Sequence, residues 1–277
     1  MDNYTIYQDI ANRTNGDIYI GVVGPVRTGK STFIKNFMEL AVIPNIKDDY
    51  KRERAKDELP QSSNGRTIMT TEPKFIPNEA VEMTLGDNVK FKTRMVDCVG
   101  YLVKNALGYM EDNLPRMVNT PWFEEQIPFE EAAEIGTKKV IDEHSTIGIL
   151  VTTDGNVTGI ARDDYIEAEE RVVKELKAQG KPFVIVLNTN IPNAPETIEL
   201  ANNLQEKYDA PVVIIDCANL SDTDINNILS KILYEFPVNE IDIDLPNWVD
   251  TLDDSHWLKT SIINIIKTSF NAIAILS

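Results

Sequence analysis

The stretch that most constrains this chain is Gly24-Pro25-Val26-Arg27-Thr28-Gly29-Lys30-Ser31, which has the pattern G-x-x-x-x-G-K-S. The apolar run Ile18–Val23 precedes it and is typical of a buried parallel strand. Apolar residues at helical spacing follow it, from Ile34 to Ala41, until Pro44 stops the run. Strand, glycine-rich loop and helix in this order are the context in which the pattern forms a phosphate-binding loop.

Each residue type in this loop has a chemical reason. Gly24 and Gly29 let the backbone turn so that successive N–H groups face an anion, and the helix beginning near Lys30 directs its positive end to the same place. We expect Lys30 to reach the β- and γ-phosphates of a nucleotide and Ser31 to offer its hydroxyl to Mg²⁺. A chance match in a turn before a core helix is the alternative. The expected nucleotide-binding residues are Gly24, Pro25, Val26, Arg27, Thr28, Gly29, Lys30, Ser31 and Thr32.

A threonine-containing segment follows at Arg66–Pro73. In P-loop GTPases and their relatives, a threonine between the P-loop helix and the next strand senses the γ-phosphate through Mg²⁺. Thr70 and Thr71 occupy that place, and we expect both to be catalytic and Thr71 to lie at the metal as well. Two β-forming residues at the start of a strand are the alternative.

Alternating apolar residues then predict an antiparallel hairpin, with a turn at Gly86-Asp87-Asn88 and a second strand from Val89 to Val96. That strand leads into Asp97-Cys98-Val99-Gly100, a D-x-x-G pattern. We expect Asp97 to hold Mg²⁺ through water and the N–H of Gly100 to face the γ-phosphate. The catalytic set is therefore Lys30, Thr70, Thr71 and Asp97, and the metal set is Ser31, Thr71 and Asp97.

Tyr101 follows the D-x-x-G pattern, at a position where many GTPases have Gln or His to orient the attacking water. A tyrosine orients water poorly and is not a base near pH 7. Hydrolysis is therefore expected to be slow or to use another group, such as Thr70 or Thr71. The alternative is that Tyr101 is a surface aromatic residue.

The end of a later apolar strand, at Asn188-Thr189-Asn190, bears on which base the site accepts. A GTPase has N/T-K-x-D here, and its Asp accepts two hydrogen bonds from guanine. This chain has no such Asp, and the amide of Asn190 would set donors against guanine donors. Asn188 is kept as a nucleotide-binding residue, guanine preference is expected to be lost, and ATP becomes the expected nucleotide.

Composition narrows the class of protein. The 277 residues are 42% hydrophobic with a net charge of −17, which argues against a general nucleic-acid binder. Cys98 and Cys217 are predicted to be reduced core residues of a cytoplasmic protein, and no apolar run is long enough to span a bilayer. The predicted fold is α/β, a three-layer P-loop NTPase fold with a mostly parallel sheet and one antiparallel hairpin strand. Residues 1–237 would form this domain with a helical insertion at 102–143, and residues 238–277 would begin a second domain that the chain cuts short.

As a set, these passages resemble the stage IV sporulation protein A family over nearly all of residues 1 to about 260. The resemblance departs at Ser269–Ser277, where the family continues into further domains used for assembly and membrane localisation. The passages that carry it are Gly24–Thr32, Met69–Thr71, Met95–Tyr101, Asp164–Val173 and Leu245–Trp248.

The resemblance implies a fold like that of translation-factor-type GTPases which has switched to ATP. It implies that hydrolysis drives self-assembly into a static polymer, the basement layer of the spore coat, on the outer forespore membrane facing the mother-cell cytoplasm. Its implied partners are further copies of itself, a short amphipathic membrane-bound sporulation peptide and spore coat proteins. Lys30, Asp97, Thr70 and Thr71 match the P-loop lysine, the D-x-x-G aspartate and the sensor threonines of the family.

Two other functions remain open from the residues alone. A regulatory GTPase-like switch would also use a P-loop, a sensor threonine and D-x-x-G, but it would require a guanine reader after Asn188. A small-molecule kinase is less favoured, because the threonine segment and D-x-x-G belong to switch-type hydrolases.

Overall fold

The computed structural model describes residues 16–60, 73–85, 89–106, 108–111, 114–236 and 245–275. The chain divides into two compact units, Met1–Tyr234 and Glu235–Ser277. Thr70 and Thr71, with the rest of residues 61–72, lie outside the described residues, as does the predicted hairpin turn at 86–88.

The first unit is built on a six-stranded sheet. Its strands are β1 (Asp17–Val23), β2 (Lys74–Leu85), β3 (Val89–Asp97), β8 (Ile147–Thr153), β9 (Phe183–Asn188) and β10 (Val212–Ile215), with four short strands β4 to β7 between β3 and β8. The order across the sheet is β10-β9-β8-β1-β3-β2, and every pair is parallel except β2 with β3. This confirms the predicted mostly parallel sheet with one antiparallel hairpin strand.

Helices connect the strands and cover the two faces of the sheet, as parallel connections require. They are α1 (Lys30–Phe37), α2 (Asp49–Asp57), α3 (Phe129–Lys139), α4 (Ile166–Ala178), α5 (Pro195–Tyr208) and α6 (Asp222–Tyr234), with π-helical turns at Met38–Val42 and Val140–His144 and 3-10 turns at Ile43–Asn45, Arg162–Tyr165 and Cys217–Asn219. All seven residues of β8 and all six of β9 are buried. Continuous apolar runs therefore mark the centre of the sheet, and the chain has the three-layer α/β fold expected of a P-loop NTPase.

The segment 102–143 differs from the helical insertion that the sequence predicted. Two small antiparallel pairs, β4 (Met110–Glu111) with β5 (Leu114–Pro115) and β6 (Met117–Val118) with β7 (Ile127–Pro128), come before its helix. The prolines give the reason, because a proline inside a helix removes a hydrogen-bond donor and clashes with the preceding turn. Helix α3 begins at the residue after Pro128.

The second unit holds the short helix α7 (Asn247–Asp250) and the longer helix α8 (Trp257–Ile275). Trp257 and Ile265 on α8 are exposed. Among the described residues, no helix combines the length and the apolar character that crossing a bilayer needs.

Candidate functional site

Strand register brings the predicted site residues to one edge of the sheet. Val22 of β1 lies beside Asp97 of β3, Val23 beside Leu150 of β8, and Thr153 of β8 beside Asn188 of β9. The strands are parallel, so their carboxyl ends and the loops that follow them meet at this edge. Ligands of open α/β sheets bind at the carboxyl ends of the strands.

The glycine-rich loop has the backbone that its sequence predicts. Gly24 has φ 137° and Gly29 has φ 96°, both in the region that favours glycine. A side chain at either position would overlap a neighbour, the carbonyl oxygen of Val151 at Gly24 and the Asn188 amide at Gly29. Arg27, which is not a glycine, also has a positive φ of 64°. Left-handed backbone at a non-glycine residue is concentrated at ligand clamps and active sites.

Lys30 is the first residue of helix α1, and its side chain is buried against the preceding residues of the glycine-rich loop. Its ammonium nitrogen Nζ donates to the carbonyl oxygens of Pro25 at 2.7 Å and Gly24 at 3.3 Å. Burial lowers the pKa of this ammonium group, while the nearby Cys98 and Asp97 act in the opposite direction. Neutral carbonyls compensate a buried positive charge only in part, so the environment of Lys30 favours an anionic ligand.

Ser31 and Asp97 meet at the metal position that the sequence predicted. The Ser31 hydroxyl donates to Oδ2 of Asp97 at 2.7 Å. The other carboxylate oxygen, Oδ1, is buried and has no hydrogen-bond partner among the described residues. Burial raises the pKa of Asp97, against the hydrogen bond from Ser31 and the charge of Lys30. A hydroxyl beside a carboxylate with a free buried oxygen fits Mg²⁺, which prefers oxygen ligands and retains several waters.

Gly100 of the D-x-x-G pattern lies against the glycine-rich loop. It has φ 91°, and a side chain here would overlap the carbonyl oxygen of Gly24 and lie 2.7 Å from Lys30 Nζ. Its N–H donates to the hydroxyl of Thr137 on helix α3 at 3.2 Å. Thr137 is fully buried, and the sequence did not point to it, because a single threonine in a helix carries no pattern.

Tyr101 is buried, so the alternative of a surface aromatic residue is wrong. Its hydroxyl donates to Oε2 of Glu175 on helix α4 at 2.5 Å, and the guanidinium of Arg171 lies 4.0 Å from its ring centroid. Burial raises the pKa of the Tyr101 hydroxyl, and Glu175 adds to the effect. Its carbonyl oxygen accepts from the N–H of Val26 at 2.9 Å, so Tyr101 joins the phosphate-binding loop to helix α4.

Asn188 lies at the end of β9, where the sequence predicts that the base of a nucleotide binds, and it connects two loops. Its side-chain Nδ2 donates to the carbonyl oxygen of Thr28 at 2.9 Å, and its Oδ1 accepts from the N–H of Cys217 at 3.0 Å. Asn188 therefore positions the phosphate-binding loop against the turn after β10. Both cysteines are buried, which confirms that they are core residues, and burial raises the pKa of Cys98 to about 11.

The remaining predicted residues lie as follows. Thr28 is buried and its hydroxyl donates to the carbonyl oxygen of Pro25 at 3.0 Å. Val26 is buried in the core. Thr32 lies half-buried in the first turn of α1. The structure thus brings the loop, Asp97, Gly100 and Asn188 together, while the roles assigned to Thr70 and Thr71 stay predictions.

Solved structures that align with most of this chain have low sequence identity to it and low TM-scores. A structure of Methanosarcina barkeri Roco2 RocCORdC bound to GDP is 15% identical, covers 79% of this chain and 50% of that chain, and has a TM-score of 0.44. A dimerisation-deficient mutant of Toc33 from Arabidopsis thaliana is 12% identical, covers 84% and 90%, and has a TM-score of 0.46.

Protein relatives are far more similar. Stage IV sporulation protein A of Bacillus anthracis is 59% identical over 94% of this chain and 53% of its own length. The protein of the same name from Bacillus subtilis (strain 168) is 57% identical over 96% and 54%, and that of Clostridioides difficile (strain 630) is 56% identical over 96% and 54%. The chain spans about half the length of the curated relatives it matches.

Two family models together cover the whole chain. The model described as "Stage IV sporulation protein A, ATPase domain" matches residues 1–237, and the model of the middle domain of the same protein matches residues 238–277. With the phosphate-binding loop, the D-x-x-G aspartate and these relatives in agreement, the chain belongs to the stage IV sporulation protein A family.

Proposed function

We propose that this chain binds ATP with Mg²⁺ at the carboxyl edge of its sheet and hydrolyses it to ADP and phosphate. The proposal rests on the pair formed by Ser31 and Asp97, in which the buried oxygen Oδ1 of Asp97 has no hydrogen-bond partner within the described part of the chain. An unpaired buried carboxylate oxygen costs free energy unless a ligand satisfies it. Ser31, which bonds to the same carboxylate, is the last residue of the glycine-rich loop.

The residues of the loop would hold the phosphates. Backbone N–H groups of the turn from Gly24 to Gly29 and the N-terminus of α1 supply the donors. Lys30, now bonded to two neutral carbonyls, would exchange them for phosphate oxygens, which restores a charged partner to a buried cation. Ser31 and Asp97 would hold Mg²⁺, Asp97 through water. When bound, Mg²⁺ neutralises charge that develops on the β- and γ-phosphates.

ATP is favoured over GTP because the chain lacks a carboxylate at the position that reads guanine. The segment Asn188-Thr189-Asn190 lacks the carboxylate that reads guanine, and the side chain of Asn188 is committed to Thr28 and Cys217. A site without polar groups dedicated to a base discriminates weakly in favour of that base. The description of the family model, which names an ATPase domain, agrees with this choice.

Family membership supports a role for hydrolysis in assembly. In this proposal, ATP hydrolysis drives self-assembly into the basement layer of the spore coat, at the outer forespore membrane on the mother-cell side. Further copies of the chain, a short amphipathic membrane-bound peptide and coat proteins are the partners. This part concerns the whole protein, of which the chain corresponds to about half the length of its relatives.

Phosphate release from ATP, measured with and without Mg²⁺, tests the hydrolysis directly. Lys30→Ala is expected to reduce the rate by about 100-fold or more, because it removes a preorganised charge from the transferring phosphate. Lys35→Ala, in the last turn of the same helix, is the matched control and should retain the rate. Hydrolysis that is unaffected by Lys30→Ala would contradict the proposal. Sedimentation after incubation with ATP, in a form as long as the relatives, tests assembly.

A further inference from the structure

The hydrogen bond between Gly100 and Thr137 occupies a donor that the phosphate site needs. The backbone N–H of Gly100 belongs to D-x-x-G, and a side chain at Gly100 would lie 2.7 Å from Lys30 Nζ. That N–H now donates to the Thr137 hydroxyl at 3.2 Å, in a fully buried position. An N–H carries one proton, so a γ-phosphate oxygen and the Thr137 hydroxyl would compete for it.

We propose that Thr137 is a positioning residue whose hydroxyl holds the Gly100 amide until a nucleoside triphosphate takes it. The inference rests on the proposed function, since it assumes that nucleotide binds at this loop. A charged phosphate oxygen forms a shorter and stronger hydrogen bond than a neutral hydroxyl at 3.2 Å. The triphosphate therefore displaces Thr137, whereas a diphosphate has no γ-phosphate and leaves the bond in place.

Helix α3, which carries Thr137, also packs against Pro73. A methyl group on the neighbouring Gly136 would lie 3.2 Å from Cδ of Pro73 and 3.3 Å from Cη2 of Trp122. Pro73 is the first described residue after Thr70 and Thr71. Neighbouring residues of α3 therefore lie against Gly100 of D-x-x-G and against Pro73.

The same helix is also tied to helix α4. Glu134 accepts two hydrogen bonds from Arg171, at 2.6 and 2.9 Å, and Arg171 covers the ring of Tyr101. Tyr101 follows Gly100 directly. Gly100 and Thr137 are thus joined to helices α3 and α4 through paired and packed groups.

The test compares affinities for ADP and for a non-hydrolysable ATP analogue, both with Mg²⁺, by calorimetry. Thr137→Val keeps the shape and removes the hydroxyl, so the analogue no longer has to displace it. The ratio of the Kd for ADP to the Kd for the analogue should rise about three- to tenfold, the value of one net hydrogen bond. Thr137→Ser retains a hydroxyl and should keep the wild-type ratio.

Thr93→Val is the matched control. Thr93 is also a buried threonine with a hydrogen bond to the backbone, although its hydroxyl donates, to the carbonyl oxygen of Ile18 at 2.9 Å. It lies four residues before Asp97, about 13 Å along β3. A general loss of stability would affect both valine variants, while the affinity ratio should move only in Thr137→Val. The wild-type protein gives a second readout, because the amide resonance of Gly100 should shift with the ATP analogue and not with ADP.

Either of two results overturns the inference. One is a ratio in Thr137→Val that equals the wild-type ratio or falls below it, in protein that binds both nucleotides. The other is a Gly100 amide resonance that responds equally to ADP and to the analogue. A wild-type protein that binds neither nucleotide overturns the proposed function itself, so the two failures are distinguishable.

Discussion

The edge of the sheet has two regions, a phosphate side with Lys30 and Asp97 and a base side with Thr189 and Asp216. They differ in whether their polar groups already have hydrogen-bond partners within the protein. On the phosphate side, Oδ1 of Asp97 is buried without a partner among the described residues, and Lys30 is bonded to two neutral carbonyls. On the base side, the Thr189 hydroxyl donates to Asp154 at 2.5 Å, and Asp216 accepts from the N–H of Ala218 at 2.9 Å.

The difference shows where this protein can discriminate. Groups that lack a partner, or have a weak one, gain most from a ligand, whereas groups that are paired within the protein must first give up a bond. The phosphate side is therefore prepared for a charged ligand and a cation. The described polar groups of the base side are paired within the protein, so they would have to give up those bonds before they could read guanine.

Gly100→Ala should have the largest effect on the phosphate side. The new side chain would overlap the carbonyl oxygen of Gly24 and approach Lys30 Nζ, at a residue with φ 91°. We expect the free energy of unfolding to fall by about 3 kcal/mol and ATP affinity to fall by about tenfold or more. Thermal unfolding and calorimetry measure the two effects.

Gly159→Ala separates backbone strain from crowding at Gly100. Gly159 also has a positive φ, 72°, but no atom of the residues that the structure describes lies within 4 Å of the position a side chain would take. It should cost only about 1 kcal/mol of unfolding free energy and leave ATP affinity unchanged. Equal effects of the two substitutions on affinity would refute the close contact between Gly100 and the loop.

Asp97→Asn should have the next largest effect, through the cation. An amide keeps the size of the side chain and can still accept from Ser31, but it removes the charge that would hold Mg²⁺ through water. We expect the Mg²⁺ concentration that gives half-maximal hydrolysis to rise by about 10- to 100-fold. Asp163→Asn, at an exposed site in the same unit, should leave the Mg²⁺ dependence as in the wild type. An unchanged dependence in Asp97→Asn would remove Asp97 from the metal site.

Thr189→Val should have the smallest effect, because it acts on the base side. The variant loses the bond to Asp154 and the one accepted from the N–H of Ile191 at 3.0 Å, which costs about 1 kcal/mol of unfolding free energy. Affinities for ATP and GTP should each change by less than about twofold. A large change in their ratio would mean that Thr189 reads the base, which would break the contrast between the two sides.

Much of the fold could be predicted from the sequence because the strands are strongly patterned. Buried parallel strands such as β8 and β9 are continuous apolar runs, and the hairpin alternates apolar and polar residues up to Asp97. The short strands of the insertion at 102–143 were harder to predict from the sequence. They are set by prolines and by contacts with the rest of the domain.

The site residues also fall into those that could be predicted from the sequence and those that could not. Gly24, Lys30, Ser31, Asp97 and Gly100 lie in two local motifs, each with a fixed spacing, so the sequence alone predicted that they act together. Thr137 is brought to Gly100 by tertiary packing across 37 residues, and no local pattern records that distance. The motif identified Tyr101 as the residue after D-x-x-G. It could not predict the burial of Tyr101 against α4, because that depends on Glu175 and Arg171, which lie outside the motif.

Competition between ATP and GTP shows whether the phosphate side is intact and the guanine reader is lost. Hydrolysis of labelled ATP by this chain is measured with Mg²⁺ and increasing unlabelled GTP or ATP, beside Lys30→Ala. We predict that ATP is hydrolysed, that unlabelled ATP competes well and GTP poorly, and that Lys30→Ala is inactive. GTP that binds more tightly than ATP would contradict the account and would favour a GTPase-like switch.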